Sequence, residues 1–293
     1  MTTRRLTALS ALQWAILLAL VGWLFRATLA ALFDRWWDDP SYTHGLLVPF
    51  VSAFFLGAAL RRKNLFETAG SLWGVPALLA SVLLFLAGRL GNMLFIQALA
   101  FIASLAALAL LIEGREFLRL SLLPLAYLIF MCPLPSGLYD SISAHLRLFA
   151  SQTSTILLQL AGVPATASGN IIDLPNATLS VEDACSGIRS LFGILATSTA
   201  FAFVVPSGLF RKLFFILSAA PIAVFTNILR VTGMGLLQHS GYERLAQGFY
   251  HQLEGWVFYL IALLLLWAEY AVLQAVFPTV PASPPSESKE GVS

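Results

Sequence analysis

Asn92 to Ile112 reads NMLFIQALAFIASLAALALLI, 21 residues without one charged side chain. Crossing the hydrocarbon core of a bilayer takes roughly 17–25 apolar residues in helical form, and this run meets that need. Working outward, similar runs predict helices over about 11–33, 45–60 and 73–88 on the N-terminal side. On the C-terminal side a shorter fifth run reaches Cys132. A sixth runs from the stretch at Val181 to about Val205, a seventh from the turn at 206–212 to about Arg230, and an eighth from Gly255 to Phe277. The 293 residues are 58% hydrophobic and 11% charged, whereas a soluble domain carries about a quarter charged residues. The expected fold is therefore all-α: a polytopic integral membrane protein with about eight transmembrane helices. It forms a single domain over 1–277, followed by a Pro/Ser-rich disordered tail over 278–293.

Three segments break the pattern. Asp34 to Thr43 (DRWWDDPSYT) reads as an outer loop whose Trp36 and Trp37 anchor at the interface. From Ser141 to Leu160, apolar Ile142, Leu146, Phe149, Ile156 and Leu160 alternate with Ser, Thr, Gln, His145 and Arg147, which predicts an amphipathic helix lying along the membrane surface. The two prolines of Cys132–Asp140 (CPLPSGLYD) stop any helix before it. Gly162 to Leu179 mixes Gly, Pro and Asn with β-prone pieces and reads as a loop or small hairpin outside the bilayer. Arg26 falls inside the first span and must snorkel or find a partner.

Charge placement orients the chain. Arg4, Arg5, Arg61, Arg62, Lys63, Arg115, Arg119, Arg211, Lys212 and Lys289 share one side of an eight-span layout. Basic clusters mark the cytoplasmic side, so both termini are expected inside. Cys185, Arg230 and His251 then share the outer side. No metal is expected, because His44, His145, His239 and His251 lack partners at ligand spacing. No cofactor and no nucleic-acid partner enter the reading.

The polar cluster VEDACSGIR, Val181 to Arg189, is costly beside a membrane and asks for a function. Ser180 and Asp183 have capping-box spacing, which predicts a helix whose first turn holds Cys185. The positive end of that helix would favour a thiolate, with Arg189 on the same face. Gly187 would leave room for a substrate backbone. Asn227 and Arg230 lie three apart at the expected outer end of the seventh span. There Arg230 could equally cap carbonyls, and Asn227 could bond a neighbouring helix. His251 precedes the eighth span, as a proton carrier or an interface residue. A thiolate attacking a peptide carbonyl, a guanidinium holding the oxyanion and an imidazole moving protons make a coherent set.

ACSGIR at the head of one span, Asn-x-x-Arg (Asn227–Arg230) closing the next and a His before the last resemble the exosortase/archaeosortase family, in its bacterial exosortase branch. The resemblance covers most of the chain. It implies a membrane cysteine protease/transpeptidase with catalytic Cys185, Arg230 and His251. Its implied partner is the C-terminal sorting-signal helix of exported proteins (PEP-CTERM-like), with a passage through an acyl-thioester to an acyl acceptor of unknown kind. It also implies a bacterial inner membrane, with the site on its periplasmic face, and a link to exopolysaccharide export. Two rival classes are a transporter that binds an anionic substrate through Arg26, Arg189 and Arg230, and a non-catalytic scaffold of an export system.

Overall fold

The computed structural model describes residues 8–62, 70–181, 187–205, 208–242 and 249–276, with 8–11, 62 and 249–254 described as backbone alone. The first apolar run is two helices, α1 (Ala8–Leu24) and α2 (Arg26–Asp38), bent by 71° at Phe25. Phe25 is fully buried, with its ring 4.5 Å from Phe85 and 5.5 Å from Phe101. Arg26 sits at the bend, where it donates to the Trp23 carbonyl at 3.0 Å and lies 4.7 Å over the Trp23 ring. A local carbonyl and an aromatic face thus answer a charge that a straight span would have left in lipid.

Because α2 runs on to Asp38, much of the expected outer loop is helical. Trp36 is no interface anchor: it is buried and donates Nε1–H to the Met131 carbonyl at 2.8 Å, while Trp37 is exposed. A 3-10 turn (Thr43–Leu46) leads into α3 (Val48–Arg62), followed by α4 (Gly74–Leu90) and α5 (Leu94–Glu113). Gly114 separates α5 from α6 (Arg115–Tyr127) at φ 87°, ψ −170°, a conformation open essentially to glycine alone. A 3-10 turn (Leu128–Met131) ends at Cys132, a buried free thiol.

The proline-rich break is shorter than the sequence suggests. Helix α7 (Ser136–Leu160) starts directly after Pro135, so Ser136–Asp140 is helical, and the α6–α7 pair bends by 74°. The buried residues of α7 are Ser143, Ala150, Ser151, Ser154, Thr155 and Leu158, whereas Leu148, Phe149, Ile156 and Leu160 are exposed. Small side chains let α7 lie close against α9 (Leu209–His239), as they do between helices in lipid. The segment after α7 forms a three-stranded antiparallel sheet rather than a hairpin: β1 (Thr166–Ser168), β2 (Ile171–Leu174) and β3 (Ala177–Ser180), in order 1-2-3. Ile172, Leu174 and Leu179 of the sheet share a buried cluster with Leu158 of α7 and Ile228, Val231 and Met234 of α9.

The last apolar runs are α8 (Ile188–Val204), α9 and α10 (Phe249–Val276). They pack on one another through Ile194, Ala202, Phe215, Ala219, Ala223, Ala262 and Leu266. Among the described residues three helices can cross a membrane by length and composition, α5, α9 and Gly255–Val276 of α10, and up to five if each bent pair counts as one span. The apolar helices Val48–Arg61, Gly74–Leu90 and Ile188–Val204 are shorter. Seventeen helical residues rise about 25 Å, against a hydrocarbon core of about 30 Å. The architecture is thus an all-α membrane protein with a small outlying sheet, in which three to five of the described helices or bent pairs meet the length for a crossing.

Contacts also sort the ends of the bundle. Trp14 Nε1–H donates to Glu113 at 3.1 Å and Ser71 N–H to the Leu110 carbonyl at 3.0 Å. These bonds gather the starts of α1 and α4 with the end of α5, beside Arg115 and Arg119. Elsewhere the His44 ring bonds the Phe130 carbonyl at 3.1 Å and Ser41 meets Tyr139 at 3.2 Å, tying the 3-10 turns to the start of α7.

Candidate active site

The structure changes how the VEDACSGIR stretch enters its helix. Ser180 closes β3 instead of capping a helix, and the N-cap of α8 is Gly187, left-handed at φ 79°, ψ −13°. The first residue of α8 is Ile188, three positions after Cys185 in sequence. Residues 182–186, Cys185 among them, lie outside the described residues.

Both flanks of that segment are fixed on α9. On the near side, Val181 is 1% exposed, donates its N–H to the Asn170 carbonyl at 2.8 Å and belongs to the buried cluster of Ile228 and Val231. On the far side, a Cβ on Gly187 would lie 3.1 Å from Cγ and Nδ2 of Asn227. The space beside Gly187 is therefore filled by Asn227 and is not left open for a substrate backbone. Asn227 is itself buried, and its side chain meets the entry to α8, a contact between helices of the kind polar side chains make in membranes.

Arg230 follows Asn227 by three residues, which puts the two on adjoining parts of one helix face. The helix does not end there: α9 continues to His239, so Arg230 has no helix terminus to cap. Its Nη1 would lie 3.9 Å from a Cβ on Gly255, near the start of α10. His251 is in the first turn of α10, with its side chain outside the described residues. By helical spacing, 251, 255 and 259 share a face. Gly255 on that face meets Arg230, and Tyr259 bonds Thr197 of α8, its hydroxyl 2.9 Å from Oγ1. Gly255 and Tyr259 thus mark the side of α10 that turns to α9 and α8, and position 251 lies about one turn before Gly255.

Arg189 lies in the first turn of α8, half-buried, and its Nε is buried without a hydrogen-bond acceptor among the described residues. The α9 turn is braced from below by Ser154 of α7, which donates to the Ile228 carbonyl at 3.2 Å, a carbonyl that also accepts from Thr232 at 2.8 Å. Sequence reasoning passed over Ser154, Thr197 and Tyr259. Only Tyr259, two turns after His251, carried a spacing signal that could have marked it. Among the described residues no group of three His, Cys, Asp or Glu side chains converges as a metal site would. His145 donates to its own helix at the Ser141 carbonyl, 2.7 Å away.

The family model for transmembrane exosortases (Exosortase_EpsH) matches residues 36–268. The chain belongs to the transmembrane exosortase family. The match opens at Trp36 within α2 and closes at Ala268 within α10, so it takes in positions 185, 189, 227, 230 and 251 of this exosortase. No curated protein and no solved structure matches the chain.

Proposed function

We propose that this exosortase is a membrane cysteine peptidase and transpeptidase acting on a C-terminal sorting signal of exported proteins. One observation carries the site assignment: the Gly187–Asn227 and Arg230–Gly255 contacts draw the segments bearing positions 185, 230 and 251 to a single junction of α8, α9 and α10. Two residues of extended chain reach about 7 Å, so position 185 is tethered within that distance of Gly187.

In this reading the Cys185 thiolate attacks the scissile carbonyl, and Arg230 carries the charge that develops on its oxygen. As the tetrahedral centre collapses, the C–N bond breaks and the departing amine takes a proton from His251. A guanidinium holds its protons too tightly for that task. The thioester then passes to an incoming amine or to water, which gives its proton to His251. Arg189 supports the site electrostatically, and Asn227 holds the α8 entry in place.

The topology proposed with it has eight crossings, the shorter helices α3, α4 and α8 included. The junction then faces the periplasm and both termini the cytoplasm, in a bacterial inner membrane. Each of these short helices coincides with an apolar run, and the basic clusters fall to the opposite side. Co-expression with an exported protein bearing a motif–helix–basic-cluster C-terminus provides the test. Parent enzyme shortens that substrate and Cys185→Ala does not; equal processing by both refutes the assignment.

A further inference from the structure

The outer strands of the small sheet, β1 and β3, differ in how they are held. Ser151 donates to the Gly169 carbonyl at 2.6 Å and Gln159 to the Ala165 carbonyl at 2.8 Å, so side chains of α7 fasten the residues on either side of β1. Beyond β3 there is no further strand among the described residues. The ladder fixes which of its backbone groups are spare. Val181 N–H donates to the Asn170 carbonyl at 2.8 Å, so Asn170 and Val181 are a bonded pair. Bonded and non-bonded pairs alternate along an antiparallel ladder, which makes Ile172–Leu179 and Leu174–Ala177 bonded as well. Thr178 and Ser180 face Asp173 and Ile171 in the non-bonded pairs, and therefore turn their N–H and C=O groups away from β2. No hydrogen bond among the described residues takes those groups up. Both residues are exposed, while Leu179 between them is buried in the cluster shared with α7 and α9.

We propose that the free edge of β3 receives the extended stretch of the sorting-signal peptide that holds the scissile bond, as an added strand. This rests on the peptidase reading above and says how that site takes its substrate. Three observations support this occupant. Donors and acceptors recur along the edge at every second residue, about 7 Å apart. An extended backbone matches that pattern, whereas a helix has already bonded its own N–H and C=O groups. The edge is also unprotected: Ala177–Ser180 (ATLS) has no proline, no charge and no bulge, the usual devices against a foreign strand. Lastly, β3 leads to the junction. Val181, the next residue, packs on Ile228 and Val231 of α9, which flank Arg230 in sequence. Position 185 follows Ser180 by five residues, at most about 18 Å of chain. Open sheet edges do not occur in hydrocarbon, so the pairing takes place in the aqueous layer, on the part of the peptide ahead of its membrane helix.

The test uses the full chain carrying Cys185→Ala, which leaves the peptide intact, in lipid nanodiscs. The probe is the C-terminal signal of the co-expressed substrate, motif and helix together, as a synthetic fluorescent peptide whose binding is read by polarisation. Thr178→Pro deletes one edge N–H and leaves the bonds to β2 in place, as proline on an edge strand can. It should weaken binding about three- to tenfold, while Ala167→Pro, the corresponding change on β1, should not. Should Thr178→Pro lower the unfolding midpoint, peptides N-methylated at alternate motif residues decide the matter on the unaltered edge: one register of methylation weakens binding and the other does not. Undiminished binding by a folded Thr178→Pro chain, indifference to methylation in both registers, or no binding of the peptide at all overturns the proposal. Its failure is distinct from that of the peptidase reading. Edge-dependent binding without cleavage by the parent chain keeps the edge and removes the peptidase, whereas cleavage with unchanged KM in Thr178→Pro does the reverse.

Discussion

The two halves of the molecule use buried polar side chains differently. In α1–α6 they hold helices together: Thr28 Oγ1–H donates to Gln97 at 2.8 Å, Ser81 and Ser104 bond at 2.9 Å, Ser52 reaches the Pro124 carbonyl at 2.7 Å and Trp36 the Met131 carbonyl at 2.8 Å. The described buried side-chain atoms without a hydrogen-bond partner, such as Arg189 Nε, Gln238 Oε1, His239 Nδ1 and Glu269 Oε1, all belong to α8–α10. A buried polar atom left unpaired costs roughly 1–3 kcal/mol, and the C-terminal half holds these atoms alongside side-chain bonds between its own helices, Thr197 to Tyr259 and Ser218 to Glu269. In the proposed function the N-terminal half is the scaffold and the C-terminal half carries the site.

That contrast breaks if variants in the two halves behave alike. The largest effect is expected at the junction. Arg230→Gln removes the proposed oxyanion partner and should slow substrate processing about 100- to 1,000-fold, with the protein still extracted as a folded monodisperse species. Processing within a few-fold of the parent would remove Arg230 from the chemistry.

Gly187→Ala comes next. It forces an alanine to φ 79° and sets a methyl 3.1 Å from the Asn227 side chain. The left-handed backbone alone costs about 1–2 kcal/mol, so thermal stability and processing should fall together. Asn227→Ala placed in the same chain relieves the clash and should restore part of the stability. No relief would mean that the close approach is not what constrains position 187.

In the scaffold half, Thr28→Val leaves Gln97 without its donor. Hydrogen bonds between membrane helices average about 0.6 kcal/mol with a ceiling near 1.7, so a small drop in unfolding midpoint is expected. Processing per folded molecule should not change. Lost activity at unchanged stability would sharpen a different picture, in which the scaffold is part of the catalytic unit.

The smallest effect concerns pH. Burial lowers the His44 pKa, partly offset by its bond to the Phe130 carbonyl. A histidine in the unfolded chain protonates near 6.5, while the folded ring stays neutral to lower pH. Stability from this group is therefore fully present above about 6.5 and falls as the pH drops toward the folded value. A His44→Gln chain should show a shallower loss between pH 6.5 and 5 than the parent. Identical slopes would show that His44 does not contribute to acid sensitivity.

Much of the fold was legible in the chain itself. The run 92–112 became α5 (Leu94–Glu113) and 73–88 became α4 (Gly74–Leu90), each within two residues at both ends. The amphipathic stretch did form a helix, and the Gly/Pro/Asn segment did form strands, one more than a hairpin needs. What misled was every feature whose meaning depends on a distant partner. Ser180 has the spacing of a cap, but pairing with Ile171 of β2 keeps its backbone extended. Arg230 has the look of a helix end, but α9 runs nine residues further, packed against α7 and the sheet. Trp36 has the look of an interface anchor, but Met131 offers it a carbonyl ninety-five residues away.

The sequence by itself determined residence in a membrane and the family, because hydropathy and motif order sum over local residues. Only the tertiary structure decided that Gly187 starts α8, that Asn227 occupies the space beside it and that Arg230 faces Gly255 of α10. Those facts depend on which helix faces meet, and packing chooses those faces by closeness of approach and by hydrogen-bond partners that no local window contains.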